Sequence, residues 1–208
     1  MRSQTPRYGP LLSNGFRWAP EGLSSGGGYS HEADEMDILV LRLIHIGAGA
    51  FWVGAVFTFF LFVQPAAVAV GPDATKFTYQ LLHHRRLPAV ILAAAATTVL
   101  AGVWLLIVTS NGLDPDLLLD ASRLGYTVGG VAAILTFGIG GLYVFPRTRV
   151  VEQTIGRLLA DSRPPTPDEQ QTLARIALES RRAGWVVLIG LVIAVVAMAT
   201  ARLWGLFL

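Results

Sequence analysis

Arg42, His45, Gly49, Trp52 and Val56 follow one another at spacings of three, four, three and four residues. That rhythm places all five on one face of a helix. The stretch that carries them, RLIHIGAGAFWVG, is otherwise apolar. An imidazole on an apolar helix has few uses. It can be an axial ligand to haem b, with Gly49 one turn along leaving room for the porphyrin plane and Arg42 pairing a propionate. It can supply one ligand to a copper or zinc site, or carry a proton. It can also stay neutral and hydrogen-bond a neighbouring helix, with no cofactor at all. The residues alone leave these uses open, and they set the candidate site as Arg42, His45, Gly49 and Trp52, with His45 as the metal or haem ligand.

The elements that must hold this face are set by composition. Of 208 residues, 53% are hydrophobic and only 14% charged, against about 25% charged in ordinary soluble domains. Four segments, 38–63, 87–109, 124–145 and 183–206, each reach the ~20 residues that cross a hydrocarbon core. In lipid the backbone must satisfy its own hydrogen bonds, so these segments are expected to be helices. Alternating segments of the β-barrel kind are missing. With no cysteine in the chain, disulfides, thiolate metal sites, iron–sulfur clusters and covalently attached haem are excluded. The sequence holds no nucleophile elbow, phosphate loop, catalytic carboxylate pair or HExxH, so soluble-enzyme chemistry and nucleic-acid binding have no support in it.

Residues 1–36 are rich in Gly, Ser and Pro and end in SSGGGYSHEADE, which reads as a disordered tail ahead of a domain over 37–208. Met36 stands directly before the first span and is a candidate start of the chain. The connections alternate in charge. Lys76, Arg85 and Arg86 lie in 64–86. Asp114, Asp116 and Asp120 lie in 110–123. Arg147, Arg149, Arg157, Arg163, Arg175, Arg181 and Arg182 lie in 146–182. The positive-inside rule puts 64–86 and 146–182 in the cytoplasm, with both termini outside. TPDE, Thr166 to Glu169, is a capping box with proline at the first helical position, so the fourth helix should start near Pro167. With 146–160 extending the third, a cytoplasmic helical hairpin is expected between spans three and four. Small residues four apart mark packing stripes at Ala50 and Gly54, at Ala93, Thr97 and Ala101, at Gly129 and Ala133, and at Gly190 and Ala194.

Depth separates the ionisable residues. Arg42 lies about 7 Å below the outer surface at 1.5 Å per residue, close enough to snorkel. His45 lies deeper and should face the bundle interior. His83 and His84 fall near the opposite membrane face, ~27 Å along the first span, so no single haem takes both His45 and that pair. His83, His84, Arg85 and Arg86 form a basic cluster suited to lipid head groups.

The segment LRLIHIGAGAFWVG, Leu41 to Gly54, resembles the first helix of CopD-type membrane proteins, in which a histidine is followed by tryptophan and then glycine. His45, Trp52 and Gly54 match. FVQPA, with Pro65, and HHRRLPAVILAAAATTVLAGVWLL are also similar to CopD-type chains, and the likeness covers about residues 38–109. HemJ-type membrane proteins are similar in the first helix too, although their glycine stands one place after Gly54. The resemblance implies a role in redox chemistry or copper handling, with His45 as candidate ligand to haem b or copper. Copper transport and an accessory subunit of a larger membrane complex are the alternatives. The expected architecture is all-α: a polytopic inner-membrane protein with an antiparallel four-helix bundle. Its partners are membrane lipid and a second copy or a larger complex.

Overall fold

The computed structural model describes residues 28–205, all of whose regular elements are helical. α1 (Gly28–Thr58) starts inside the segment expected as tail, ahead of the boundary at residue 37. The rest of that tail, 1–27, and the last three residues lie outside the described region. α1 passes through a π-helical turn, Phe59–Val63, into α2 (Gln64–Val70). Pro65 sits in the first turn of α2, where its missing N–H costs little. A 3₁₀ turn, Gly71–Ala74, leads to α3 (Thr75–Tyr79) and a second π turn, Gln80–His84. The connection 64–86 is therefore helical almost throughout.

α4 (Leu87–Thr109) matches its expected bounds. After it come the short α5 (Pro115–Leu118) and α6 (Leu124–Gly138). A third π turn, Ile139–Val144, joins α6 to α7 (Phe145–Ala160), and α8 (Pro167–Trp204) closes the fold. Four helical stretches, Glu35–Val70, Leu87–Thr109, Leu124–Ala160 and Pro167–Trp204, are long and apolar enough to cross a membrane. Their outer faces are apolar: Leu43, Phe62, Leu100, Leu135, Leu142 and Val196 are all exposed, as residues that meet acyl chains must be.

α1 packs along α4, and α6 along α8. Trp52, Val56, Ala95, Val187, Leu188 and Leu191 form the buried centre, with Ala133, Phe137 and Ile139 of the third span against it. The small-residue stripes divide in two. On α6 and α8 they are real contacts. A Cβ added to Gly129 would lie 2.9 Å from the Ala194 carbonyl oxygen, and one on Gly190 would run into the Thr136 hydroxyl. On α1 and α4 most of the expected stripe faces outward. Ala50, Gly54, Ala93 and Thr97 are exposed; of the expected positions only Ala101 is buried, alongside Ala95 and Thr98 of α4. Spacing by four recurs on every face of a helix, and bulkier neighbours, Trp52 and Val56, decide which face turns inward.

α8 begins at the predicted capping box. The Thr166 hydroxyl accepts from the Glu169 N–H at 3.3 Å and the Glu169 carboxylate from the Thr166 N–H at 2.9 Å. Arg163 adds a two-pronged bond to the same carboxylate, at 2.8 and 2.9 Å. This pairing holds the guanidinium pKa above its ordinary value. Beyond the turn 161–166, Arg147 of α7 donates to Glu179 of α8 at 3.0 Å and lies over the Tyr143 ring. At the other end, Arg123 donates to the Thr109 carbonyl at 2.7 Å, closing the 110–123 connection. There the Ser122 hydroxyl and N–H both bind Asp120 and hold its carboxyl below the usual carboxylate range.

Candidate functional site

His45 lies at the contact between α1 and α4, in the half of the bundle that ends in the 110–123 connection. Its Nδ1 is 2.8 Å from the backbone carbonyl oxygen of Thr98. A carbonyl only accepts, so Nδ1 carries a proton, and in the neutral ring Nε2 holds the lone pair. That carbonyl can take a bond from outside its own helix because an sp² oxygen has two lone pairs.

Two glycines make the approach. A Cβ on Gly102 would stand 2.7 Å from His45 Cε1 and 2.9 Å from Nδ1, so the imidazole rests against bare backbone of α4. A Cβ on Gly49 would meet the Thr98 methyl at 3.2 Å. Thr98 is buried and turns its hydroxyl back to the Ala94 carbonyl at 2.8 Å. That back-bond leaves its methyl facing Gly49 and its carbonyl facing His45. Gly49 therefore serves helix approach, and its open face is filled by Thr98 rather than left for a porphyrin.

The other ring nitrogen has no partner among the described residues. No fully buried side-chain nitrogen or oxygen there lacks a hydrogen bond, so Nε2 is not fully enclosed. A backbone carbonyl that fixes the tautomer and leaves the second nitrogen unpaired is the usual support for an imidazole ligand. The residues fit the single-nitrogen part of a haem or metal site: one oriented donor, with exposed Arg42 one turn away on the same helix. They do not form a cage. Among the described residues no three His, Cys, Asp or Glu side chains gather where a cation would sit. Any group held at His45 lies outside the α1–α4 pair and needs further ligands from elsewhere.

The remaining predicted residues take separate places. Trp52 is only 4% exposed and belongs to the core two turns further along α1. His83 and His84 sit at the opposite end, beyond the start of α4. From Gly102 to Leu87 is roughly 22 Å of helix, so the two histidine regions are separate, as the sequence indicates. His83 Nδ1 lies 2.8 Å from the Glu152 carboxylate of α7. Tyr79 stacks on His83 at 5.0 Å between ring centroids. Glu152, Tyr79, Thr98 and Gly102 carry no signal in the sequence that ties them to any histidine. Only the small-residue richness of the second span hinted at a close helix contact.

These observations define a class: a helical protein with four helices of membrane-crossing dimensions and, between α1 and α4, a histidine oriented by a backbone carbonyl. Comparison with protein-family models, with curated proteins and with solved structures gives no match.

Proposed function

We propose that this chain is a CopD-like membrane subunit that presents His45 as one ligand to a haem b or a metal ion whose coordination is completed by a second copy or a partner chain. The observation that carries this reading is the pair of nitrogens on one ring: Nδ1 donates to the Thr98 carbonyl at 2.8 Å, and Nε2 has no partner among the described residues and is not fully enclosed. A bound haem or copper ion supplies one-electron chemistry. The chain's own work is to fix the tautomer, hold the imidazole rigidly between two helices and offer Arg42 to an anionic group. In this reading 64–86 and 146–182 face the cytoplasm, α7 and the start of α8 form a helical hairpin there, and His45 lies in the outer leaflet.

Protein purified from native-like membranes in mild detergent tests it. A Soret band or stoichiometric metal, lost in His45→Ala and kept in Trp52→Phe, supports the role. Colourless, metal-free protein from cells supplied with haem and copper contradicts it.

A second reading is favoured by the contact of His45 with Gly102. The same bond and the same close approach make a strut between α1 and α4, sufficient for an accessory subunit of a larger membrane complex. In that case His45→Ala lowers stability and nothing else, and stoichiometric partners co-purify in mild detergent.

A further inference from the structure

At the end of the bundle away from His45, two cavities of opposite character share a wall. The first is apolar, about 90 Å³, and lies among the spans between Val56, Phe59, Phe60, Ile91, Phe137 and Val144. The second is polar, about 440 Å³, and is bounded by His83, His84, Arg86, Arg149, Glu152 and Thr148. Pro88, Phe145 and Thr148 line both.

Size and charge restrict the occupant. An apolar cavity of ~150 Å³ takes a benzene ring, so the smaller slot here takes a stretch of alkyl chain and no macrocycle. The polar chamber holds two arginines and two histidines against one carboxylate, which His83 engages at 2.8 Å. Arg86 and Arg149, the latter 5.3 Å over the Phe145 ring, are left to face an anion at the start of α4, where the helix dipole also favours negative charge.

The backbone around both cavities departs from regular helix. Arg86 has φ of 51°, a left-handed conformation that favours glycine. The Arg86 side chain lies on the chamber wall. π turns at Phe59–Val63 and Ile139–Val144 supply Phe59, Phe60, Gly140 and Val144 to the slot, and such turns recur at functional sites. Tyr79, stacked on His83 and seated 3.1 Å from the Cβ position of Gly156, fixes the chamber's outer side to α7.

We infer that this joined cavity binds one anionic phospholipid of the bilayer, with its phosphate between Arg86 and Arg149 and part of one acyl chain in the slot beside Phe59 and Phe137. The site is independent of His45 and of any cofactor there.

The test uses the full chain in phosphatidylcholine nanodiscs containing a phosphatidic acid with a diazirine in its acyl chain. After illumination, the labelled residues are mapped by mass spectrometry. Label should concentrate on Phe59, Ile91 or Phe137. Unlabelled phosphatidic acid should displace it and inorganic phosphate should not. Arg86→Gly with Arg149→Gln should cut it about tenfold or more, since even one charge-assisted hydrogen bond to phosphate is worth about that factor, while Arg175→Gln leaves it unchanged. Glycine suits the backbone at residue 86, so that variant keeps the turn. Three results overturn the proposal. One is label spread over outward-facing Leu100 and Val131 as strongly as over the slot. Another is equal labelling of the slot in the unmodified chain by a diazirine phosphatidylcholine, a comparison that depends on no variant. The third is displacement of the label by inorganic phosphate as well as by lipid, which makes the chamber a free-anion site.

Discussion

The imidazole of His45 is bound to the second span by one hydrogen bond, Nδ1–H to the Thr98 carbonyl at 2.8 Å, and rests on the bare backbone of Gly102. One contact thus sets the tautomer, the ring plane and the spacing of α1 and α4. The consequences are separable by mutation.

Gly102→Ala should displace the ring, because the new methyl would stand 2.7 Å from Cε1. Overpacking of this kind costs about 1–3 kcal/mol, partly offset by the better helix propensity of alanine. The melting temperature in detergent should fall. Adding His45→Ala should restore part of it, giving a non-additive double-mutant cycle. Additive losses would show that the ring and the glycine do not touch.

Gly125 and Gly54 make an opposed pair. A Cβ on Gly125 would lie 2.6 Å from the Ala197 carbonyl oxygen and 2.6 Å from Ala201 Cα, both backbone atoms that cannot swing aside. Gly54 has nothing within 4 Å. Gly125→Ala should therefore destabilise by about 1–3 kcal/mol or more, and Gly54→Ala should be neutral or mildly stabilising. Unfolding in mixed micelles ranks the two.

How much was legible in the sequence follows from the range of each interaction. Span positions and the capping box at Thr166–Glu169 depend on residues within one or two turns, and both could be read directly. The face that each helix turns inward depends on other helices. Ala50–Gly54 and Ala93–Thr97 accordingly looked like packing stripes and are exposed. The His45 face at 45, 49, 52 and 56 was readable as a face, but its partner Thr98 is 53 residues away and its contact is a carbonyl, which every residue owns. Glu152, 69 residues from His83, was hidden for the same reason. The π turns left no mark in composition.

The start of α8 is predicted to depend on Thr166. Thr166→Ala removes one arm of the capping box and should cost about 1 kcal/mol locally. Amide exchange in 167–171 should speed up while the membrane-buried part of α8 stays protected. Glu169→Ala should have a similar effect because it loses the partner of Arg163 as well as the carboxylate that accepts from the Thr166 N–H. Unchanged exchange in both variants would show that the cap does not hold the helix start.

The 110–123 connection should loosen in acid. Asp120 has a folded-state pKa below its ordinary 3.8, chiefly from the Ser122 hydroxyl and then its N–H. A carboxyl with a depressed pKa contributes stability above its unfolded value and loses it as pH falls through the folded one. The advantage of the native chain over Asp120→Asn should thus be full at neutral pH and vanish below the ordinary carboxylate range. Limited proteolysis at 111–122 with an acid-active protease follows it; a pH-independent difference would contradict the assignment.

The central claim is that His45 is a ligand held ready, and the absorption spectrum of the purified protein tests it most directly. Cells supplied with haem should yield protein with a Soret band that disappears in His45→Ala and survives Trp52→Phe at equal folded yield. Protein that is folded, colourless and metal-free from such cells, with a His45→Ala variant altered only in melting temperature, would leave His45 as a strut between two helices and contradict the account.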